Sequence, residues 1–492
     1  MESTLVSRHD SDIAPASSLH FVAANGHRVQ VGGRDLLFHV PSTAVFELDA
    51  LEAAVFGWLA ERQVTSESAL LARFAAHDPV EVRSRLVGLM ELGIVVDGPW
   101  APVRRSLPRL TRFPLSTLVL NVNTGCNLSC TYCYKEDLAS PADGKRMSFE
   151  TACESIEMLL AESPDLDEYN LVFFGGEPLS NLPLIRAVVE HARPRFAAAG
   201  KRVNFTLTTN ATLLTEAIVD WLDAQRFGIT VSIDGPRRLH DLRRRTVGGK
   251  GTYDTVLAKS RMLLARYRSR PVGARVTLTA GVTEIEEIWR HLKHDIGFFE
   301  VGFSPVTSGE LDEFNLGSDD LARVFDGMKA LGARYLEAAR RGENIGFSNL
   351  HQLMQDLSEG RSKALPCGAG VGMLAVDHEG GLNLCHRFTG STQARFGSVT
   401  EGIDREPLAE FIASRAERSG KGCETCRIRN LCAGGCYHES YAHFGDPLSP
   451  TYHYCELMRD WVDFGIGLYG ELMAHAPQFI ESHIAPRRAW GK

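Results

Sequence analysis

The apolar positions in the middle of the chain follow two alternating periods. Short β-branched and aromatic runs, each with the pattern of a buried strand, are "STLVLNVNT", "YNLVFFGG", "VNFTLTTN", "ITVSIDG", "ARVTLTAG" and "FEVGFSPVT". Amphipathic helical patterns such as "SFETACESIEMLLAES" lie between them. Strands joined by crossover helices run parallel, and helices cover the resulting sheet. We therefore predict an α/β fold with a partial (β/α)6 barrel at residues 115–345.

The N-terminal part of the chain has a different pattern of apolar residues. "HRVQVGGRDLLFHVPSTAVFEL" alternates as strands do, and three amphipathic helical patterns follow it, which predicts a winged-helix-like domain at residues 20–98. The basic, proline-containing "PVRRSLPRLTRFP" predicts a linker at residues 99–114. A cysteine-rich domain at residues 346–475 and a C-terminal tail at residues 476–492 complete the predicted organisation.

The net charge, the length of the apolar runs and the cysteine count argue against several classes of protein. A net charge of -8 argues against nucleic-acid binding through a general basic field. No apolar run approaches the roughly 20 residues of a membrane span, and the N-terminus lacks a signal-peptide pattern. We therefore expect a cytoplasmic protein with no nucleic-acid or membrane partner. Its eleven cysteines then indicate metal ligation, because a reducing compartment disfavours disulfides. Cys153, alone in a helical pattern, is interpreted as an ordinary buried residue.

Polar and glycine-rich loops follow the first four predicted barrel strands. They are "NTGCNLSC", "GGEP", "TTNAT" and "SIDGP". Ligands bind beyond the carboxyl ends of parallel strands, so we expect these loops to meet at one mouth.

The first of these loops carries Cys126, Cys130 and Cys133 with no nearby fourth cysteine. Three thiolates can hold three irons of a [4Fe-4S] cluster and leave the fourth iron open to a small chelator. S-adenosylmethionine can fill that position through its amino and carboxylate groups. The candidate contacts for its ammonium are Gly175, Gly176, Glu177 and Pro178. Arg244 is the candidate partner of its carboxylate, with a solvated helix-face charge as the alternative role.

The segment "CNLSCTYC" has the CxxxCxxC pattern of the radical S-adenosylmethionine superfamily, with Tyr132 before the last cysteine, and "GGEP" resembles the amino-group motif of that family. The resemblance covers residues 115–310 and implies a 5′-deoxyadenosyl radical that abstracts a substrate hydrogen. It also implies that Tyr132, Ser232 and Arg244 contact the cofactor. Thr208 and Asn210 are further candidates, for which turn capping is the alternative.

The C-terminal cysteines have the spacing C-x12-G-x4-C, then C-x2-C-x5-C-x3-C, then a last cysteine. A pair of zinc knuckles is one interpretation. The whole pattern resembles the SPASM domain, which implies two auxiliary [4Fe-4S] clusters and hence three clusters in all. By that resemblance, one auxiliary cluster is held by Cys423, Cys426, Cys432 and Cys455. The other is held by Cys367, Cys385 and Cys436.

The second auxiliary set lacks a fourth cysteine. Either its last iron is open to a substrate group, or Asp377 or His378 fills the position, with a turn before Gly380 as the alternative role for both residues. His386 directly follows Cys385 and matches a position where sulfatase-maturating enzymes have a catalytic acid or base. A structural histidine is the alternative. Asp377 and His386 are therefore the candidate catalytic residues.

The predicted N-terminal domain resembles the leader-recognition modules of peptide maturases, which bind a peptide at a sheet edge. DNA readout is disfavoured because its candidate helix has only two arginines. The full layout most resembles the maturases of the quinohemoprotein amine dehydrogenase small subunit, which join cysteine sulfur to carbons of Asp or Glu. This implies a precursor peptide or small subunit as partner and an electron donor such as flavodoxin or ferredoxin. Another peptide maturase (sactipeptide-type thioether or cyclophane), a sulfatase-maturating oxidase and a non-catalytic zinc-binding adaptor remain alternatives.

Overall fold

The computed structural model describes residues 18–102, 110–134, 144–306, 312–417, 421–450 and 453–484. Residues 103–109 of the predicted linker and 485–492 of the predicted tail lie outside the described residues. None of the described helices combines the length and the apolar character that crossing a membrane requires.

The N-terminal region combines short antiparallel strands with helices. The elements are β1 (Leu19–Phe21), β2 (Gly26–Val31), β3 (Arg34–His39), β4 (Ala44–Leu48), α1 (Ala50–Arg62), β5 (Val64–Thr65), α2 (Glu67–Arg73), α3 (Pro79–Glu91) and β6 (Val95–Asp97). The sheet β5-β1-β6 and the helices enclose a small core of their own. The sheet β2-β3-β4 joins this core to the rest of the protein, because Leu37 faces the small core while Leu36 and Phe38 belong to the main core.

A parallel sheet with crossover helices forms the middle of the chain. Its elements are β7 (Thr117–Asn123), α4 (Phe149–Glu162), β8 (Glu168–Gly175), α5 (Leu182–Ala198), β9 (Arg202–Thr209), α6 (Glu216–Ala224), β10 (Gly228–Ser232), α7 (Arg237–Arg243), α8 (Tyr253–Arg266), β11 (Val272–Leu278), α9 (Ile285–Arg290, continued by a π-helix to Ile296) and β12 (Glu300–Pro305). All pairings from β7 to β12 are parallel and neighbouring in sequence order. The predicted α/β architecture is therefore confirmed.

The sheet buries one face completely and lines an open lumen with the other. Phe173, Phe205 and Val231 are fully buried on the helix side. Thr208 and Ser232 lie on the opposite face, since successive strand residues point to opposite sides. The lumen is therefore polar, whereas the helix side is a continuous apolar core.

The C-terminal region extends this sheet. Its elements are α10 (Ser318–Ala339), α11 (Ser348–Ser358), β13 (Met373–Val376), β14 (Leu382–Asn383), β15 (Gly397–Ser398), β16 (Gly402–Ile403), α12 (Arg405–Glu417), α13 (Arg429–Cys432), α14 (Tyr437–Phe444), α15 (Cys455–His475) and α16 (Pro477–His483). β13 pairs in parallel with β7, and β14 pairs with β13 in the antiparallel direction. The order of this sheet in the described residues is β12-β11-β10-β9-β8-β7-β13-β14.

Candidate active site

The three cysteines after β7 lie in one half-buried loop. Cys133 N donates to Cys130 O at 3.0 Å, which closes a tight turn between two of them. Burial, with neighbouring thiols as smaller contributors, raises the pKa of Cys126 to about 12 and that of Cys130 to about 11, although Arg244 opposes the shift of Cys130. Buried thiols become thiolates only beside positive charge, as metal ions provide. This donor set therefore fits the iron–sulfur cluster predicted for the loop.

Asn123, the last residue of β7, joins the cysteine loop to the GGEP loop. Its side-chain oxygen accepts from Gly125 N at 2.8 Å, and its amide donates to Gly125 O at 2.7 Å and to Glu177 O at 3.1 Å. A Cβ at Gly176 would lie 2.1 Å from Gly125 O, so only glycine permits this close backbone approach. The predicted convergence of the two loops is thus present in the structure.

Glu177 is buried and ties the GGEP loop to the end of β9. Its carboxylate accepts from Leu179 N at 3.0 Å, Thr209 Oγ1 at 2.8 Å and Asn210 N at 2.8 Å. Burial raises the pKa of Glu177 to about 7, although these hydrogen bonds oppose the shift. The carboxylate therefore positions the loop, which leaves the GGEP backbone as the surface available to an ammonium group. Thr209 makes this contact, whereas the neighbouring Thr208 faces the lumen and stays a predicted cofactor contact.

Asn210 makes the turn-capping contact considered for it and also contacts the cysteine loop, while its contact with the cofactor stays a prediction. Its side-chain oxygen accepts from Thr212 N at 3.0 Å, which is a turn-capping contact. Its amide donates to Asn127 Oδ1 at 3.0 Å and lies 3.8 Å from Cys126 Sγ. Asn210 therefore orients the cysteine loop while it caps its own turn.

Asp234 is a buried carboxylate that sequence analysis did not single out. It accepts from Tyr132 Oη at 2.7 Å, from Arg244 Nε at 2.8 Å and from Thr277 N at 2.9 Å. Burial opposes the charge of Arg244, but Asp234 outweighs it and raises the pKa of the guanidinium. Arg244 is therefore a buried, fixed cation and not a solvated helix-face charge. The available sequence signal was a single carboxylate directly after a parallel strand, in "SIDGP".

Ser232 and Pro178 lie on either side of this constellation. Ser232 ends β10 and faces the lumen, two residues before Asp234. Pro178 is buried and begins a short 3₁₀-helix that Glu177 caps. The structure thus brings together the predicted cofactor contacts at the carboxyl ends of β7 to β10.

We expect Asp234→Asn to lower the free energy of unfolding by about 3 kcal/mol, because it leaves the buried Arg244 without a charged partner. The same change should weaken S-adenosylmethionine binding, since Arg244 and Tyr132 lose their common anchor. Denaturant unfolding and equilibrium dialysis measure the two effects. Asp254→Asn, in an exposed pair with Arg237, is the matched control and should leave the free energy of unfolding nearly unchanged. Equal losses in both variants would contradict the role given to Asp234.

The C-terminal cysteines form two groups, and all of them lie within the described residues. A cavity of about 520 Å³ is lined by Cys423, Cys426, Cys432 and Cys455, together with Lys421 and Arg459. Burial, with Cys436 and Cys367 as further contributors, raises the pKa of Cys385 to about 12. This grouping matches the two ligand sets that the SPASM resemblance implies. In the described residues, no set of three or more His, Cys, Asp and Glu side chains forms a site for a single metal ion.

Asp377 lies in the turn between β13 and β14. Its carboxylate accepts from Glu379 N at 3.0 Å, Gly381 N at 2.9 Å and Asn383 Nδ2 at 3.1 Å, and Arg395 Nε lies 3.0 Å away. These contacts support the turn role considered for Asp377. His378 borders the same turn, with its ring 3.7 Å from Glu379.

His386 borders the barrel lumen. Its ring centroid lies 4.3 Å from that of Phe174, which is the residue before the GGEP loop. His386 is therefore adjacent both to Cys385 and to the predicted cofactor site, and its catalytic role stays a prediction.

Arg415, on α12, organises the auxiliary cysteine loops. It is fully buried and donates to Leu448 O at 3.0 Å, Gly434 O at 2.6 Å and Gly435 O at 2.9 Å, and it also contacts Ser449 O. The guanidinium thus holds the segment between Cys432 and Cys436 against the loop that precedes Cys455. No sequence pattern indicated this role, because arginine in an amphipathic helix is ordinarily exposed.

Comparison with known proteins agrees with this geometry. A family model described as Radical SAM superfamily matches residues 120–295. The cysteine-type anaerobic sulfatase-maturating enzyme of Clostridium perfringens is 24% identical over 367 residues, which cover 71% of this chain and 96% of the relative. The solved structure of native anSMEcpe with bound AdoMet matches with a TM-score of 0.61 at 21% identity, over 75% of this chain and 99% of that chain. Streptococcus suis SuiB, solved with the precursor peptide SuiA, matches with a TM-score of 0.50 at 16% identity, over 89% and 99%.

The fold and the family match define the class: the protein contains a radical SAM domain on an α/β barrel. More particularly, the chain is similar to the cysteine-type anaerobic sulfatase-maturating enzyme of Clostridium perfringens and, in fold, to Streptococcus suis SuiB. The predicted S-adenosylmethionine and iron–sulfur character agrees with this class.

Proposed function

We propose that the protein is a peptide maturase that joins a cysteine sulfur to a carbon of an Asp or Glu side chain, as the quinohemoprotein amine dehydrogenase maturases do. Cys126, Cys130 and Cys133 hold the cluster that binds S-adenosylmethionine, and the other two cysteine groups hold auxiliary clusters. When bound, the first cluster and S-adenosylmethionine supply a 5′-deoxyadenosyl radical. Everything else in the reaction depends on how the chain binds and orients its substrate.

The position of Arg275 is the observation that supports an acidic substrate. It lies in the middle of β11, paired in register with Ser232 on one side and Gly302 on the other, and so faces the lumen. Its guanidinium contacts Ser304 Oγ and forms no ion pair with the described residues. Burial and the nearby Arg387 lower the pKa of Arg275, while Glu300 opposes the shift. A cation that faces the polar lumen, as Arg275 does, favours a carboxylate as the bound side chain.

In the proposed reaction the substrate carbon loses a hydrogen atom to the 5′-deoxyadenosyl radical, the cysteine thiol loses a proton, and a C–S bond forms between the two atoms with one electron left over. An auxiliary cluster held by the C-terminal cysteines would take up that electron. The peptide therefore loses two hydrogen atoms and keeps its sulfur. His386, at the border of the lumen, is the candidate group that accepts the thiol proton. Arg275 holds the carboxylate and so orients the carbon that loses its hydrogen.

The N-terminal region is the proposed binding site for the peptide. In the described residues β4 lies at the edge of the sheet β2-β3-β4, where an extended peptide can add as a further strand. The solved relative SuiB was obtained with the precursor peptide SuiA, which supports a peptide partner. A flavodoxin or ferredoxin is the proposed electron donor.

A sulfatase-maturating oxidation is the second candidate function. The 24% identity to a cysteine-type anaerobic sulfatase-maturating enzyme, over nearly the whole of that relative, favours it. This reaction differs in outcome, because it converts the cysteine to an aldehyde and removes its sulfur.

Mass spectrometry of reaction products separates the two functions. The anaerobically reconstituted protein is incubated with peptides that contain one cysteine and one Asp, Glu, Asn or Gln. We expect loss of two hydrogens, with retention of sulfur, in the Asp and Glu peptides only. An aldehyde product without sulfur would support the oxidase and overturn the thioether proposal.

Arg275→Gln should reduce cross-linking of acidic peptides at least tenfold while formation of 5′-deoxyadenosine persists. Arg275→Lys keeps the charge and should restore part of the yield. Arg266→Gln, on the outer face of α8 in an exposed pair with Asp220, is the matched control and should leave the yield unchanged. Undiminished cross-linking by Arg275→Gln would remove the basis for an acidic substrate.

A further inference from the structure

Three residues beside the proposed cluster ligands meet between two cysteine groups. Tyr134 directly follows Cys133, whereas Arg387 and His438 each come two residues after an auxiliary cysteine, Cys385 and Cys436. The Arg387 guanidinium lies 5.3 Å from the Tyr134 ring centroid, and the His438 ring lies 5.5 Å from it. We call these three residues the inter-cluster junction.

Aromatic packing closes the junction on its auxiliary side. Phe388 packs edge-on against His438, with 5.4 Å between ring centroids, and His438 is buried. Burial raises the pKa of Tyr134; Arg387 opposes the shift, while Cys133 and Cys385 add to it. The Tyr134 ring therefore packs against Arg387 and His438, the residues that follow Cys385 and Cys436 by two positions.

Arg387 brings a fixed positive charge into this space. Burial opposes the charge, yet Tyr134, Cys436 and Cys385 together raise the pKa of the guanidinium. Reduction adds a negative charge to an iron–sulfur cluster, so a nearby cation favours the reduced form. Where packed rings limit access of water, this interaction is screened less.

We propose that the inter-cluster junction sets the reduction potential of the auxiliary cluster on Cys367, Cys385 and Cys436, with Arg387 as its charge and the rings of Tyr134 and His438 as its seal. These are positioning and charge-compensating residues, since their effect acts through the cluster. The proposal depends on the cluster assignment made in the proposed function, but not on the substrate or the bond formed.

An EPR-monitored redox titration of the anaerobically reconstituted full chain, without substrate, tests the junction. At a fixed solution potential, Arg387→Gln should lower the ratio of reduced to oxidised auxiliary cluster about tenfold, which corresponds to about 59 mV for a one-electron couple. Arg387→Lys keeps the charge and should shift the ratio much less. Iron and sulfide assays of the same samples establish how many clusters each variant holds.

Substitutions of Tyr134 test separately whether its ring limits the access of water to the auxiliary cluster. Tyr134→Phe keeps the ring and should leave the potential unchanged, whereas Tyr134→Leu should shift it. Tyr335→Leu removes another buried tyrosine that contacts a histidine, His351, away from the cysteines, and should leave the potential unchanged.

If the reduction potential of the auxiliary cluster is unchanged in both Arg387→Gln and Tyr134→Leu at full iron content, the proposal that the junction sets this potential is wrong. The proposed function is not affected by that result. If Arg387→Gln loses the auxiliary cluster, the reduction potentials of Arg387→Lys and Tyr134→Leu are compared with the wild type instead. Unchanged potentials in both of these variants overturn the junction. A wild-type protein that takes up only one cluster overturns the ligand assignment itself.

Discussion

Replacing Cys126, Cys130 and Cys133 together by alanine should abolish formation of 5′-deoxyadenosine. These thiols are the proposed ligands of the first cluster, and the Glu177 carboxylate of the GGEP loop lies close enough to Cys126 to raise the pKa of that thiol. Their loss leaves the first cluster without its thiolates. Chromatography of the reduced reaction mixture measures the product. Iron content should fall only by the share of one cluster, because the C-terminal cysteines remain.

Cys153→Ala is the matched control for this experiment. Cys153 lies on α4, and the charged neighbours that affect its pKa are glutamates rather than other cysteines. Cofactor cleavage should therefore persist at the wild-type rate. Turnover by the triple variant, or its loss in Cys153→Ala, would show that the ligands of the first cluster are assigned wrongly.

Arg415→Met should cause the largest loss of stability among single substitutions of the auxiliary domain. It removes the Arg415 donor from four carbonyl groups, of which the Gly434 contact is buried and the other three are partly buried. A buried unsatisfied group costs about 1 to 3 kcal/mol, so we expect a total loss of roughly 3 kcal/mol. The variant should also lose iron from the auxiliary sites, because the loops bearing Cys432, Cys436 and Cys455 are no longer held together. Denaturant unfolding and iron analysis measure the two effects.

Arg195→Met is the matched control, since Arg195 forms an exposed pair with Glu157 and should cost at most about 1 kcal/mol. Arg415→Lys keeps a charge but not the forked geometry that reaches several carbonyls, so it should rescue only part of the stability. Wild-type iron content in Arg415→Met would contradict its proposed role in the auxiliary domain.

The period of apolar residues was sufficient to predict the barrel, because its strands are buried on the helix side and separated by amphipathic helices. Positions within a strand were harder to predict. Thr208 and Thr209 are neighbouring residues of the same type, so the sequence does not distinguish them. The alternation of faces along β9 directs Thr209 towards Glu177 and Thr208 towards the lumen. A strand as short as β13 carries no period at all, so its addition to the barrel sheet had no sequence signal.

Cysteine spacing located the proposed cluster ligands, since family motifs preserve local distances along the chain. The groups that orient those ligands come from distant segments. Asp234 contacts Tyr132 from more than a hundred residues away, and Arg387 meets Tyr134 across an even longer separation. Such pairs depend on tertiary packing, which one sequence does not disclose.

The pairing of β13 with β7 has a consequence for how this protein can be divided. β7 leads directly into the cysteine loop, and the amide of Asn121 on β7 also donates to Val376 O at 3.2 Å. A chain cut after residue 345 would expose the backbone edge of β7 to water or to a second molecule. The C-terminal region is therefore not an independent unit, because removing it would take away the strand that neighbours β7 as well as the proposed ligands of the auxiliary clusters.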